Sequence, residues 1–587
     1  MHKIWHVFSK KSVLKTTLCD KHTFDTCNRF LQYTKYQAVS LAHFVPQVCI
    51  FVGVSSETED MAGLDELTRT MLLLLAVLTV KMENIYGARI LLASPQVSSH
   101  VIMQTGIGEE LVRRGHEVYI VIASRYHKPE SLAQRGLRPV VYHMPPDVPF
   151  GMGDDMAKRV MEHIFSPDFD LIQAAVTASA VVFRDCKFML SDNKFMQQVR
   201  SLKFDIALVE AFVLSPCNLL LPYNLSVPFV SLTTSSMAWN IRMPVLPSFF
   251  HISLPGQDIG SEPSGFWSSL INTMTFFSFR KISSAIWNST LLEHYSSRPV
   301  TWDELILKSQ LFFIPLDHHL DSPLPLFPNI IPVPGITVRP TKPLTGKLEE
   351  LITESRQGVI LVTFGSVASY FPESVIVKFL EAFSRVEQTV IARLTMSEGV
   401  VVPKNVHVFQ WLPQNDILSH EYTKLFITHG GSNGQHEALY HGVPMLGFPL
   451  FAEQSLNCQR ARAKGFGLTM NIHNFTSEEL FDNIREMLNN NTYSDTVKRS
   501  SAILRDEPLF GPEKAAHWIE HVVKYGSAHL RSPAMDLPLY RFLMLDVVAI
   551  FFIVTSVVIA ITCLSTVAVA KIIRRKWLYP PSQKKTQ

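Results

Sequence analysis

The run KLFITH, Lys424 to His429, passes directly into Gly430-Gly431 and then into SNGQHEALYHG, and few architectures accommodate that succession. A short apolar, β-branched run bounded by polar residues reads as a strand buried on both faces, which calls for a parallel sheet covered by helices on each side. The glycines supply a tight turn, and the following helix closes at Gly442, just before Val443-Pro444. A strand passing through Gly-Gly into a helix aims backbone N–H groups and the positive helix end at one point, where a phosphate is well placed. Taken alone, the same residues are equally an ordinary turn.

The pattern recurs along the chain. ARILLASP, the polar loop QVSSH, a helix over about Val101 to Arg114 ending at Gly115, and HEVYIVIAS form a β-loop-α-β opening, whose ligands sit at the carboxyl ends of strands. A second unit contains TGKLEELITES, GVILVTFGS, PESVIVKFLEAFSRV with Pro372 in the first helical turn, TVIARL and VHVFQW. Between the two units, PLPLFPNIIPVPGITVRPTKPL is dense in proline and reads as a semi-rigid linker. The expected fold class is α/β, with two doubly wound, Rossmann-like domains and a substrate cleft between them. A length of 587 residues agrees with more than one domain.

Composition removes several alternatives. The net charge of +3 is spread along the chain with no basic stripe, so nucleic acid is not an expected partner. The seven cysteines include no C-x-x-C pair, which argues against a zinc or thioredoxin-type site. Only Cys186, Cys217 and Cys458 fall in the expected folded body, so a disulfide scaffold is not expected.

Within Trp411–Gln454, a matched group exists for each part of a nucleotide-sugar. Trp411 offers a flat face to a base, Gln414 an amide to its edge, Glu437 a carboxylate to ribose hydroxyls, and Glu453-Gln454 partners for sugar hydroxyls. The whole window, W-L-P-Q through T-H-G-G-S-N-G-Q-H-E-A, H-G-V-P-M and P-L-F-A-E-Q, resembles the UDP-glycosyltransferase family, in particular the animal UDP-glucuronosyltransferases. The resemblance implies a GT-B architecture and a UDP-sugar co-substrate, with Trp411 on uracil, Gln414 on the nucleoside and Glu437 on the ribose. It further implies Ser366, His429 and Asn433 with nearby amides such as that of Gly431 at the diphosphate, and Glu453 and Gln454 at the sugar. Position 453 is Asp in many animal members. No D-x-D motif lies near the window, so the expectation is a leaving group stabilised by amides, a helix end and His429, without a metal or other cofactor.

The same resemblance points to His100 as the general base for the acceptor hydroxyl, from Ser99-His100 and the following Arg114-Gly115-His116. By position alone such a histidine is more often structural or a solvent-exposed cap than catalytic. An imidazole titrating near neutrality suits proton removal and needs an orienting carboxylate on its other nitrogen. KFDIALVEAF offers Asp205 and Glu210, and the family pattern places the catalytic acid at the strand end, where this chain has Glu210 in place of Asp. The implied reaction is inverting transfer of a hexosyl group, glucuronosyl or glucosyl, to a hydroxyl of a small lipophilic acceptor. Glucuronate-using members often show M-T-F-x-x-R; here MTFFSFR puts Arg280 one residue later, which keeps UDP-glucose open beside UDP-glucuronic acid. The alternative prompted by Glu210 is a non-catalytic UDP-sugar-binding regulatory subunit that keeps the donor fold.

The expected organisation is an extension over 1–60, a signal sequence over 61–88 around MLLLLAVLTV, an acceptor-binding domain over 89–335 and a donor domain over 336–525. A juxtamembrane stretch over 526–546, a transmembrane helix over 547–570 and a cytoplasmic tail over 571–587 complete it. Lys571, Arg574, Arg575 and Lys576 follow the apolar span, which sets the tail cytoplasmic and the body lumenal. Lys584-Lys585 near the end resembles a dilysine retrieval signal, giving a single-pass type I protein of the endoplasmic reticulum membrane, with the lipid bilayer as a partner and a homo-oligomer left open. Sequons at Asn224, Asn288, Asn474 and Asn490 are compatible with lumenal exposure.

Overall fold

Runs such as RILLA, IALVE, VILVT and TKLFIT bury residues on both strand faces, which only a sheet with helices on both sides satisfies. The computed structural model shows two such sheets. It describes residues 87–578 except 127–128, 147, 149–153, 167–180, 182, 212–216, 234–265, 322, 324, 366–369, 397 and 452. The extension, the signal sequence and the dilysine tail lie outside the described residues.

The first sheet comprises β1 (Arg89–Ala93), β2 (Glu117–Ala123), β3 (Arg138–Tyr142), β4 (Ile206–Glu210), β5 (Phe229–Leu232), β6 (Phe312–Ile314) and β7 (Ile330–Pro332), in the order β3-β2-β1-β4-β5-β6-β7. The second comprises β8 (Val359–Thr363), β9 (Thr389–Arg393), β10 (Val406–Val408), β11 (Thr423–Thr428), β12 (Met445–Gly447) and β13 (Gly467–Thr469), in the order β10-β9-β8-β11-β12-β13. Every pairing is parallel. Each sheet therefore reverses its winding once, between β1 and β4 and between β8 and β11, and a crevice opens beyond the strand ends at such a switch point.

Alternation along the strands divides the core. Leu91 and Ala93 pack with Trp302 and Phe312 on one face of the first sheet, while Ile90 and Leu92 pack with Ile107 and Phe313 on the other. In the second sheet Ile360 and Val362 face Phe364, Phe379 and Phe448, and Leu361 faces Phe426, Leu439 and Phe466.

Two segments cross between the sheets. Helix Asp154–Ile164 lies in the first half of the sequence, yet its Met161 and Ile164 join the core of the second sheet, and Phe165 meets Phe371 edge-on at 5.9 Å between centroids. Helix Gly511–Tyr525 lies in the stretch assigned from sequence to the donor domain, but Ala515, Ala516, Ile519 and Val522 pack on the first sheet. Glu520 fixes it there, accepting from Arg114 at 2.9 Å and approaching His116 Nε2 at 3.1 Å.

The proline-rich connector is more than a linker. Ile330–Pro332 forms β7, an edge strand on which Pro332 is tolerated because no neighbour needs its missing N–H. Beyond it, Arg339 donates to Asp416 at 2.6 Å, and Asn415 donates to Arg339 O at 3.1 Å. Proline density signalled stiffness, but partner strands and side chains were not readable from composition.

A disulfide joins buried Cys186 and Cys217, the first of these in the helical stretch 183–191 and the second opening helix Cys217–Leu225. At the C-terminus, helix Leu545–Leu578 is 34 residues long, with an 18-residue window of mean hydropathy 2.9, and is long and apolar enough to cross a membrane. It extends at both ends beyond the expected span 547–570 and carries the basic cluster Lys571–Lys576 within the same helix.

Candidate active site

His100 lies in the first turn of helix Ser98–Arg113, which starts three residues earlier than its apolar spacing suggests. The loop after β1 brings it to the first switch point. Glu210 ends β4, the neighbouring strand, one residue past the Ala93–Val209 pairing, and is fully buried. Its Oε1 lies 2.6 Å from His100 Nδ1. The longer side chain of Glu thus spans the distance that put its role in question. Burial alone lowers the His100 pKa, but the charge and hydrogen bond of Glu210, helped by Glu453, raise it above the ordinary value of 6.5. Asp205, at the other end of β4, accepts from the Arg89 amide at 2.7 Å and fastens the start of β1.

At the second switch point, His429 follows the last residue of β11, and the chain turns through Gly430 into helix Ser432–His441. Gly430 adopts φ +79°, and a Cβ there would stand 2.3 Å from Cys458 Sγ. A Cβ on Gly431 or Gly365 would meet the His429 ring at 2.6 or 2.7 Å, so the imidazole occupies the space these two glycines leave. Burial lowers the His429 pKa to about 4, which makes it a neutral N–H donor rather than a cation. Gly431 caps the helix without a side chain, and the first-turn amides around half-buried Asn433 receive no side-chain cap. Ser366 lies outside the described residues.

Trp411 is 61% exposed, which rules out core packing as its purpose, and the Arg393 guanidinium sits 5.7 Å from its ring centroid. Gln414, opening helix Gln414–Leu418, donates to Glu437 Oε2 at 2.8 Å. Burial pushes the Glu437 carboxyl up to about 7, opposed by the nearby Thr337 hydroxyl and by the hydrogen bond from Gln414. Gln414 and Glu437 therefore share one site although 23 residues apart, with Thr337 from the connector beside them.

Glu453 precedes helix Gln454–Ala463 and senses His100 across the cleft; burial raises its pKa, opposed by its own backbone amide, His100 and Arg460. Gln454 is buried, and its Oε1 accepts from Leu450 at 3.0 Å and Phe451 at 3.1 Å. Only its NH₂ group remains to meet a ligand, which narrows the expected sugar contact. Arg280 is buried and donates to Asp303 at 2.7 Å, in helix Trp302–Leu307.

Sequence reading missed a second bridge between the halves. Arg460, on the helix that carries Glu453 at its start, pairs with Asp321 from the loop after β6. Only the fold brings the two together, so no local pattern announces them. Asp321→Asn removes the Asp321 charge from beside a largely buried Arg460 and is expected to destabilise the protein by about 3 kcal/mol, measured by thermal unfolding; Asp321→Arg with Arg460→Asp restores part of the loss.

Residues 89–577 match the family described as UDP-glucoronosyl and UDP-glucosyl transferase. The chain is 31% identical over 463 residues to UDP-glucuronosyltransferase 2B14 of Oryctolagus cuniculus, covering 75% of this chain and 85% of that protein. It is 29% identical over 494 residues to UDP-glucuronosyltransferase 1A1 of Homo sapiens, covering 81% and 90%. In fold it is similar to the solved structure "Spinosyn Forosaminyltransferase SpnP", with a TM-score of 0.52 at 17% identity, over 75% of this chain and 100% of that one. That likeness adds the two-sheet GT-B architecture. With both switch points populated and most of the chain matched, this protein belongs to the UDP-glucoronosyl and UDP-glucosyl transferase family and is a UDP-glycosyltransferase.

Proposed function

We propose that the enzyme transfers a hexosyl group with inversion from a UDP-sugar to a hydroxyl of a small lipophilic acceptor. The observation that carries this reading is the His100–Glu210 pair, which faces Glu453 across the cleft. Glu210 engages Nδ1, so Nε2 is the ring atom that takes the acceptor proton. The acceptor oxygen attacks the anomeric carbon, the bond from that carbon to the β-phosphate oxygen breaks, and UDP departs with the electron pair. Attack opposite the leaving group converts an α-linked donor into a β-glycoside. Charge on the departing diphosphate meets the amides of Gly431–Gly434 and the neutral His429 N–H, a set that calls for no metal.

Trp411 and Gln414 hold the uridine, Glu437 the ribose, and Glu453 with the Gln454 amide the sugar. Of the two donors, UDP-glucose is favoured, because Arg280 is buried in its pair with Asp303 rather than held out toward a sugar carboxylate. The test is incubation of microsomes carrying the protein with each radiolabelled UDP-sugar and a panel of phenols. Transfer from UDP-glucuronic acid alone overturns the glucosyl reading, and transfer from neither overturns the catalytic one.

The ribose role has a pH signature. An ionised Glu437 accepts from hydroxyls at both oxygens, whereas protonation turns one of them into a donor, so donor affinity falls as pH drops through about 7. UDP-glucose binding is expected to weaken about fivefold from pH 7 to pH 6, measured calorimetrically in the His100→Ala background, and Glu437→Gln removes the dependence.

We place the protein in the endoplasmic reticulum membrane as a single-pass type I chain with its body in the lumen. The apolar helix, the basic residues at its C-terminal end and the Cys186–Cys217 disulfide, which needs an oxidising compartment, support this placement. The domain limits 61–88 for a signal and 571–587 for the tail belong to the same proposal.

A further inference from the structure

The four sequons differ sharply in what their asparagines do. Asn224 is an internal fastener, donating to Tyr295 O at 2.8 Å and accepting from the Ser297 amide at 2.8 Å, links that span more than seventy residues. Asn288 accepts from the Trp302 amide at 2.7 Å and donates to Ser284 Oγ at 3.3 Å. Asn490 caps helix Asn491–Arg505 through the Thr492 amide at 3.1 Å while its Nδ2 donates to Glu486 at 2.8 Å. Each of these amides is committed to the fold.

Asn474 is different. It is exposed on the turn that follows β13, and its side chain makes no hydrogen bond among the described residues. The turn itself is held on both sides: the Asn474 amide donates to Asn471 O at 3.2 Å, Phe475 is 3% exposed in the core, and Thr476 caps helix Ser477–Asn489. β13 is the edge strand, two places from β11, so a group on Asn474 projects roughly 10 Å or more to the side of the switch point.

We infer that Asn474 carries an N-linked oligosaccharide and that Asn224, Asn288 and Asn490 do not. The proposal rests on the lumenal reading of the body. The donor is an oligosaccharide on a polyisoprenyl diphosphate: Asn474 Nδ2 bonds to its anomeric carbon, the carbon–oxygen bond to the diphosphate breaks, the polyisoprenyl diphosphate leaves, and the amide gives up one proton.

The experiment treats the full-length protein in sealed microsomes with a peptide-N-glycosidase after solubilisation and follows its gel mobility. One step of increased mobility is expected for the wild-type chain, and Asn474→Gln abolishes it without changing transferase activity. Thr476→Ser, which keeps both sequon and helix cap, retains the step, as do Asn224→Gln and Asn490→Gln. A step that persists in Asn474→Gln overturns the assignment. Absence of any step in the wild type overturns it too, and protease added outside the sealed vesicles tells which idea has failed. A protected body leaves the lumenal reading standing and removes only Asn474; a digested body removes both.

Discussion

Replacing His100 with alanine lowers kcat by about 10²- to 10⁴-fold while UDP affinity stays within about twofold. The separation follows from geometry, because His100 belongs to the first sheet and the groups proposed to hold the nucleotide to the second. Single-turnover kinetics and calorimetry on the same preparation check it, and unchanged turnover removes His100 from the mechanism. Glu210→Gln keeps the shape and the hydrogen bond but loses the buried charge, and a fall in kcat of roughly 10²-fold or more is expected. The pH profile supplies an independent readout. A base must be neutral to act, and Glu210 with Glu453 holds the His100 pKa above 6.5, so kcat/KM rises with pH through a midpoint above that value. In Glu210→Gln that midpoint moves down.

Gly430→Ala is expected to destabilise the protein by about 2–5 kcal/mol and to abolish measurable UDP binding. Two costs add: an L-residue at φ +79° costs roughly 1–2 kcal/mol, and a methyl group 2.3 Å from Cys458 Sγ and 3.1 Å from Gln454 O adds roughly 1–3 kcal/mol of overpacking. Relief by backbone movement would shift His429 and the uncapped amides of helix Ser432–His441, which is why binding is lost along with stability. Thermal unfolding of Gly430→Ala, Cys458→Ala and the pair separates the costs. The double variant recovers the steric part and keeps the backbone part; equal unfolding temperatures for wild type and Gly430→Ala would overturn the account.

Much of the second switch point was legible because its elements are local. Trp411, Gln414, His429, Asn433 and Glu437 sit at the ends of elements whose strand and helix periods are plain, so sequence order nearly dictates their placement. At the first switch point, His100 and Glu210 were legible as neighbours through their positions after β1 and at the end of β4, though whether the longer Glu side chain reaches the imidazole needed coordinates. Other readings shifted. Gln454 spends its carbonyl on the amides of Leu450 and Phe451 just before it, and Arg280 turns inward to Asp303, choices that side-chain periodicity does not announce.

The sequence by itself determined the two parallel α/β units, the strand-glycine-helix turn, the family and the apolar C-terminal helix. These are properties of contiguous residues, set by side-chain period, glycine and proline placement, and run length. Tertiary structure alone decided what depends on residues distant in the chain: β7 drawn from a proline-rich connector, the Cys186–Cys217 bridge, the exchange of helices Asp154–Ile164 and Gly511–Tyr525 between sheets, and the Asp321–Arg460 pair. Burial belongs to the same class. It raises Glu437 to about 7 and lowers His429 to about 4, since distant segments of the chain, the connector beside Glu437 and the loop at Gly365 beside His429, help to remove water from each group.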